Sequence, residues 1–115
     1  MSEINITHLP ATLSHTVYQG DVFAHTLTIK EDGELVDITG DSFTFLAVDA
    51  RGEVVISLAI GTGITIIGTG EVQWEFSEAE TDAMPTDCPI KYAFRWATRG
   101  KTIEIGKIVV IAKLQ

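Results

Sequence analysis

From Phe23 onward the chain alternates apolar and polar residues in short runs, and turn residues close each run. This is the pattern of half-buried strands in an antiparallel sandwich or barrel. In Val22 to Lys30, Phe23, His25, Leu27 and Ile29 share one face, while Ala24, Thr26 and Thr28 share the other. Three of the four on the first face are apolar, so that face turns inward. Asp32-Gly33 marks a hairpin, because the glycine accepts the positive φ of a primed turn, and Leu35 to Ile38 returns as a short strand.

After Thr39-Gly40-Asp41, the run Ser42 to Asp49 carries Phe43, Phe45 and Ala47 on one face and Leu46 and Val48 on the other. Apolar residues on both sides predict burial of both faces. Arg51-Gly52 leads into Glu53 to Ile60, and Gly61-Thr62-Gly63 and Gly68-Thr69-Gly70 bracket Ile64 to Ile67. Glu71 to Phe76 alternates cleanly, with Val72, Trp74 and Phe76 inward. Ser77-Glu78-Ala79-Glu80 fits a capping box, which predicts a short helix over 78–84 that Pro85 ends.

Ile90 to Thr98 sets Ile90, Tyr92, Phe94 and Trp96 against Lys91, Ala93, Arg95 and Ala97. Arg99-Gly100 turns it into Thr102 to Lys113. There Ile103 and Ile105 face inward, and a bulge at Gly106 changes the phase ahead of Ile108 to Ile111. Six or seven strands are expected from this part of the chain. Residues 1–20 lack a firm period and form an arm or first strand, leaving 21–115 as the sandwich domain.

A chain of 115 residues with 45% apolar content supports one core and no second domain. Its 8 basic against 16 acidic residues, net −8, repel phosphate backbones and anionic lipid, so neither nucleic acid nor membrane is an expected partner. Lys91, Arg95, Arg99, Lys101 and Lys107 read as a solvated face. The single cysteine, Cys88, allows no internal disulfide and lies between Asp87 and Pro89, a poor setting for a thiolate. No apolar run approaches the roughly 18 residues of a membrane span, and the first residues do not form a secretory signal.

Tests for chemistry give little. His8, His15 and His25 could ligate zinc only if the arm folds back onto the first firm strand; otherwise His25 is a core-edge histidine with a satisfied hydrogen bond. The acidic cluster Glu78, Glu80, Asp82 and Asp87 sits in or beside the short helix, where acids favour the positive end of the dipole. Glu31-Asp32-Gly33-Glu34 is too brief for a calcium loop, and Gly61-Thr62-Gly63 lacks the third glycine and following helix of a dinucleotide loop. Tyr18, Phe23, Phe43, Phe45, Trp74, Phe76, Tyr92, Phe94 and Trp96 mostly fall on inward faces, with Tyr18 the candidate for exposure. No catalytic, cofactor-binding or metal-ligating set is therefore expected, and the chain reads as non-enzymatic.

Three stretches occur together: Tyr18-Gln19-Gly20-Asp21-Val22-Phe23, Val36-Asp37-Ile38-Thr39-Gly40, and Val72 to Thr81 followed by Met84-Pro85. With the aromatic strand and the Gly106 strand behind them, they resemble bacteriophage and prophage virion proteins. That group includes the amino-terminal domain of baseplate upper proteins and small tail- or fibre-associated proteins. The resemblance spans roughly residues 17 to 112; Thr86-Asp87-Cys88-Pro89 departs from it, being longer and more proline-constrained than the glycine-containing link of the group.

The resemblance implies an immunoglobulin-like antiparallel β-sandwich and a structural role in the tail, baseplate or fibre region. It also implies contacts with other virion proteins or further copies of the chain, and a place in the virion after synthesis in the bacterial host cytoplasm. A small carbohydrate-binding module is the alternative, and a histidine-based metal hydrolase a weaker third.

Overall fold

The computed structural model describes residues 2–6 and 10–112. The arm forms β1 (Ser2–Asn5), β2 (Ala11–Thr12) and β3 (His15–Tyr18). There follow β4 (Phe23–Glu31), β5 (Glu34–Leu35), β6 (Phe43–Val48), β7 (Val54–Ile60), β8 (Gly63–Gly68) and β9 (Glu71–Phe76). After the helical turn α1 (Glu78–Asp82) come β10 (Ile90–Trp96) and β11 (Lys101–Ile111).

Hydrogen bonding runs β1-β4-β9-β8-β7-β6-β10-β11-β2, with β3 also on β11 and β5 on β4. The ladder folds over at the β7–β8 corner, where only Ala59 and Ile60 pair with Gly63 and Ile64. Two layers result, β1-β4-β9-β8 against β7-β6-β10-β11 with β2 and β3. Across the gap, Trp74 on β9 packs on Phe45 of β6 at 4.6 Å and on Tyr92 of β10 at 5.8 Å between ring centroids.

The inward residues expected from alternation supply this interior. Leu27, Ile29, Phe43, Phe45, Val72, Trp74, Phe76, Ile90, Phe94 and Trp96 are all buried, and together with Ile38 and Val17 they form one apolar cluster. Even the buried indole of Trp96 finds a partner, donating to Asp41 Oδ2 at 2.9 Å.

The fold class stands, and several details change. Four pairings are parallel: β1 with β4, β7 with β8, and both β2 and β3 with β11. Among the described residues eight strands, not six or seven, run from Phe23 onward. The strand expected over Leu35 to Ile38 ends at Leu35, because the Val36–Gly40 corner takes over: Thr39 N–H donates to Asp37 Oδ1 at 3.0 Å and Gly40 adopts φ 80°. Leu46 is exposed, so β6 is buried on one face only. α1 ends at Asp82 with Ala83 as its cap, and its capping box between Ser77 and Glu80 is formed in both directions.

The largest correction concerns β11. Phe94 pairs with Glu104 but Arg95 with Thr102, so the extra residue is Ile103 and the bulge precedes Glu104 rather than sitting at Gly106. Ile103 and Glu104 are consequently both buried, while Ile105 faces solvent.

Two stretches of the virion-like pattern meet in space. The Thr81 hydroxyl donates to the Asp21 carbonyl at 2.8 Å and accepts from Gly20 N–H at 3.1 Å. Gln19 Nε2 donates to the Met84 carbonyl at 3.0 Å. The helical turn thereby clamps the bend between β3 and β4.

Candidate functional site

The arm folds back. Because β3 runs parallel to β11, with His15 opposite Ile108 and Tyr18 opposite Ile111, the His15 side chain enters the interior near the start of β4. His25 enters from β4, opposite Trp74. The bulge at Ile103 turns Glu104 inward between them. Three strands from both layers thus converge where the two ends of the ladder approach each other.

Glu104 is fully buried. Its Oε1 lies 3.9 Å from His15 Nε2 and its Oε2 lies 3.4 Å from His25 Nε2. These are ion-pair distances, but neither contact has hydrogen-bond geometry, so both carboxylate oxygens and His25 Nε2 are buried without a hydrogen-bond partner. The two imidazoles meet edge to face with centroids 4.5 Å apart, and Trp74, Phe23 and Tyr92 surround His15. Tyr92 donates its hydroxyl proton to the Leu13 carbonyl at 2.7 Å and stands 3.1 Å from His15 Nε2. His15 Nε2–H therefore donates to the tyrosine oxygen.

An isolated carboxylate in such surroundings costs several kcal/mol. Burial pushes the Glu104 carboxyl up, but the polar groups of His15, His25 and Tyr92 close to it outweigh burial and lower it to about 2. Burial first, and then the Glu104 charge, push the Tyr92 hydroxyl far above its ordinary value.

Among the described residues, His15, His25 and Glu104 are the one set of metal-ligating side chains brought together, with their ligand atoms all within 4.8 Å of one another. His8 lies outside the described residues. His25 is at the core edge as expected; its Nε2 has no hydrogen-bond partner and faces Glu104 Oε2 at 3.4 Å. Glu78, Asp82 and Asp87 are spread over the surface, and Cys88 is half-buried. Glu104 is the member that sequence reasoning missed. The signal was there: Ile108 and Val110 are buried, and counting back from them in steps of two reaches Gly106 and Glu104.

A second feature is the outer face of the β7-β6-β10-β11-β3 layer. Register places Ser57, Leu46, Ala93 and Ile105 in one row across it, and Lys91 beside Lys107 in the next. Further along β11, Val109 and Ile111 continue the face, paired with Thr16 and Tyr18 of β3. Leu46, Ile105, Val109, Ile111 and Tyr18 are all exposed. Tyr18 is the only exposed aromatic among the described residues, so the stacking platform of a carbohydrate-binding module is not formed.

No protein-family model matches the chain, and no curated protein matches it in sequence. Solved structures do match in fold. The N-terminal domain of phage TP901-1 ORF48 superposes with a TM-score of 0.51 at 17% identity, covering 96% of this chain and 98% of that one. The extracellular domain of the voltage-gated sodium channel beta4 subunit, described as a parallel homodimer with a role in cell-cell adhesion, gives a TM-score of 0.51 at 11% identity over 94% of this chain and 92% of that one. The chain is an immunoglobulin-like β-sandwich.

Proposed function

We propose that this chain is a bacteriophage or prophage structural module that acts through protein–protein contact in virion assembly, its contact face being the outer side of the β7-β6-β10-β11-β3 layer. The observation that carries the reading is the exposure of Leu46, Ile105, Val109 and Ile111 on one face, on either side of the Lys91–Lys107 pair. Exposed apolar side chains gathered on one face mark interaction sites in soluble domains. Lys91 and Lys107, directly opposite each other on this face, set like charges side by side in a chain of net −8. Such a pair is unfavourable alone and favourable against an acidic partner.

A second copy supplies that partner. The other layer presents Glu75 outward, and Glu3 paired with Lys30 at 2.9 Å, so the lysine pair of one copy is set against Glu75 of the next. A contact between two different faces builds rings or filaments. The virion setting is supported by the two-way coverage between this chain and the phage TP901-1 domain, and by the docking of Gln19–Asp21 on Thr81 within the virion-like pattern.

Gene context and copurification test the setting. Neighbouring reading frames that encode capsid, portal or tail proteins, with at least one of those products retained on the tagged chain, are the expected result. Neighbours unrelated to virions, none of whose products bind, would contradict it.

A further inference from the structure

We infer that His15, His25 and Glu104 form a closed structural site for one divalent first-row transition ion, with zinc the best fit, which fastens the N-terminal strand to both layers of the sandwich.

The donor atoms are spaced for it. Tetrahedral zinc with bonds near 2.0–2.2 Å keeps its ligands roughly 3.4 Å apart. His25 Nε2 and Glu104 Oε2 are 3.4 Å apart, His15 Nε2 and Glu104 Oε1 are 3.9 Å apart, and the three ligand atoms all lie within 4.8 Å of one another, so side-chain rotation must draw the wider pairs in around the ion. The partnering of these atoms points the same way. A protonated imidazole serving as counter-ion would aim an N–H at the carboxylate at hydrogen-bond distance. Here His25 Nε2 and both Glu104 oxygens are buried without a hydrogen bond, and His15 directs its Nε2 proton to Tyr92. A cation between the three would give His25 Nε2 and the Glu104 carboxylate the partner they lack.

Two nitrogens and one carboxylate select the metal class. Calcium and magnesium want oxygen ligands throughout, whereas imidazole suits zinc and its neighbours. Tyr92 marks the fourth corner: its proton is committed to Leu13, which leaves the oxygen's lone pairs on the side of His15. In the metal-bound state the His15 proton resides on Nδ1, freeing the Nε2 lone pair at the expense of one hydrogen bond. The His15, His25 and Glu104 side chains are only 8%, 13% and 0% exposed, so no open coordination position faces solvent. That enclosure fits a structural ion rather than a catalytic one.

The placement gives the ion its effect. His15 lies on β3, His25 on β4 and Glu104 on β11, so one ion joins two consecutive strands to a third that is distant in sequence, across the seam between the layers. With its single cysteine this chain has no disulfide to do so.

The test is titration of the full chain, stripped with a chelator, with Zn2+ followed by calorimetry and with Co2+ followed by visible absorption. One equivalent should bind, the cobalt form should show the intense d–d bands of four-coordination, and the melting temperature should rise by about 10 °C at a hundredfold excess over Kd. Loss of an outer partner alone costs about 10- to 100-fold, so Glu104→Gln and His25→Gln should each weaken binding at least about 100-fold. His8→Gln should bind as the parent does. Far-UV circular dichroism checks that each variant is folded. Absence of binding to the parent chain overturns the proposal whatever the variants do. So does undiminished binding in a folded His25→Gln or Glu104→Gln chain, or loss of binding on His8→Gln.

Discussion

Gly106 on β11 lies directly beneath the Leu13 carbonyl, so closely that a Cβ at position 106 would overlap that carbonyl. Leu13 N–H donates to the neighbouring Ile105 carbonyl at 2.9 Å, and the Leu13 carbonyl accepts from Tyr92. The glycine is therefore needed for close approach of the arm, not for a bulge. Gly106→Ala should push residues 11–18 away from β11 and cost about 1–3 kcal/mol, the usual range for overpacking. Urea unfolding reads the cost. Amide exchange should show faster exchange across β3 while β9 and β10 keep their protection.

Tyr92→Phe removes the donor to Leu13 and the acceptor for His15 without changing the ring. It leaves a part-buried carbonyl and a part-buried imidazole N–H unpaired, which costs about 1–3 kcal/mol. Chemical denaturation checks this, and the loss should fall mainly on the arm.

How far the sequence revealed these relationships depended on the length of the pattern. In β4, β9 and β10 one face is buried over six or more residues, so alternation identified Leu27, Trp74 and Phe94 as core. Ser77 and Glu80 declared the capping box because it is a local device. The arm strands span only two to four residues and pair with segments about 25 to 95 positions away, so no period could be read from them. Glu104, flanked by Ile103 and Ile105, looked like the outward member of an ordinary alternation. Only the register slip against β10 reverses it. The histidines were visible as candidates; the carboxylate that unites them was not.

Thr81→Val should cost about 1–3 kcal/mol, since it strips partners from the Asp21 carbonyl and Gly20 N–H around a fully buried side chain. Ser77→Ala removes only the cap on an exposed turn and should cost nearer 1 kcal/mol. Thermal melts of the two variants, side by side, check the order.

For the chelator-treated chain, pH dependence follows from Glu104. Its folded pKa of about 2 lies below the ordinary 4.5. Its stabilising contribution is therefore complete above about pH 4.5 and is lost as pH falls toward 2. The amount is on the order of a few kcal/mol. Plotted against pH, the stability of the parent should fall more steeply in this window than that of Glu104→Gln; parallel curves would remove the carboxylate from the account.

Light scattering on the parent chain and on the double variant Ile105→Lys and Val109→Lys bears most directly on the assembly role. Both positions are exposed, so the variant should fold normally while losing the apolar side chains on either side of Lys107. A defined oligomer for the parent that becomes a monomer in the variant is the expected result. A parent chain that stays monomeric at every concentration, or an oligomer untouched by the two lysines, would contradict it.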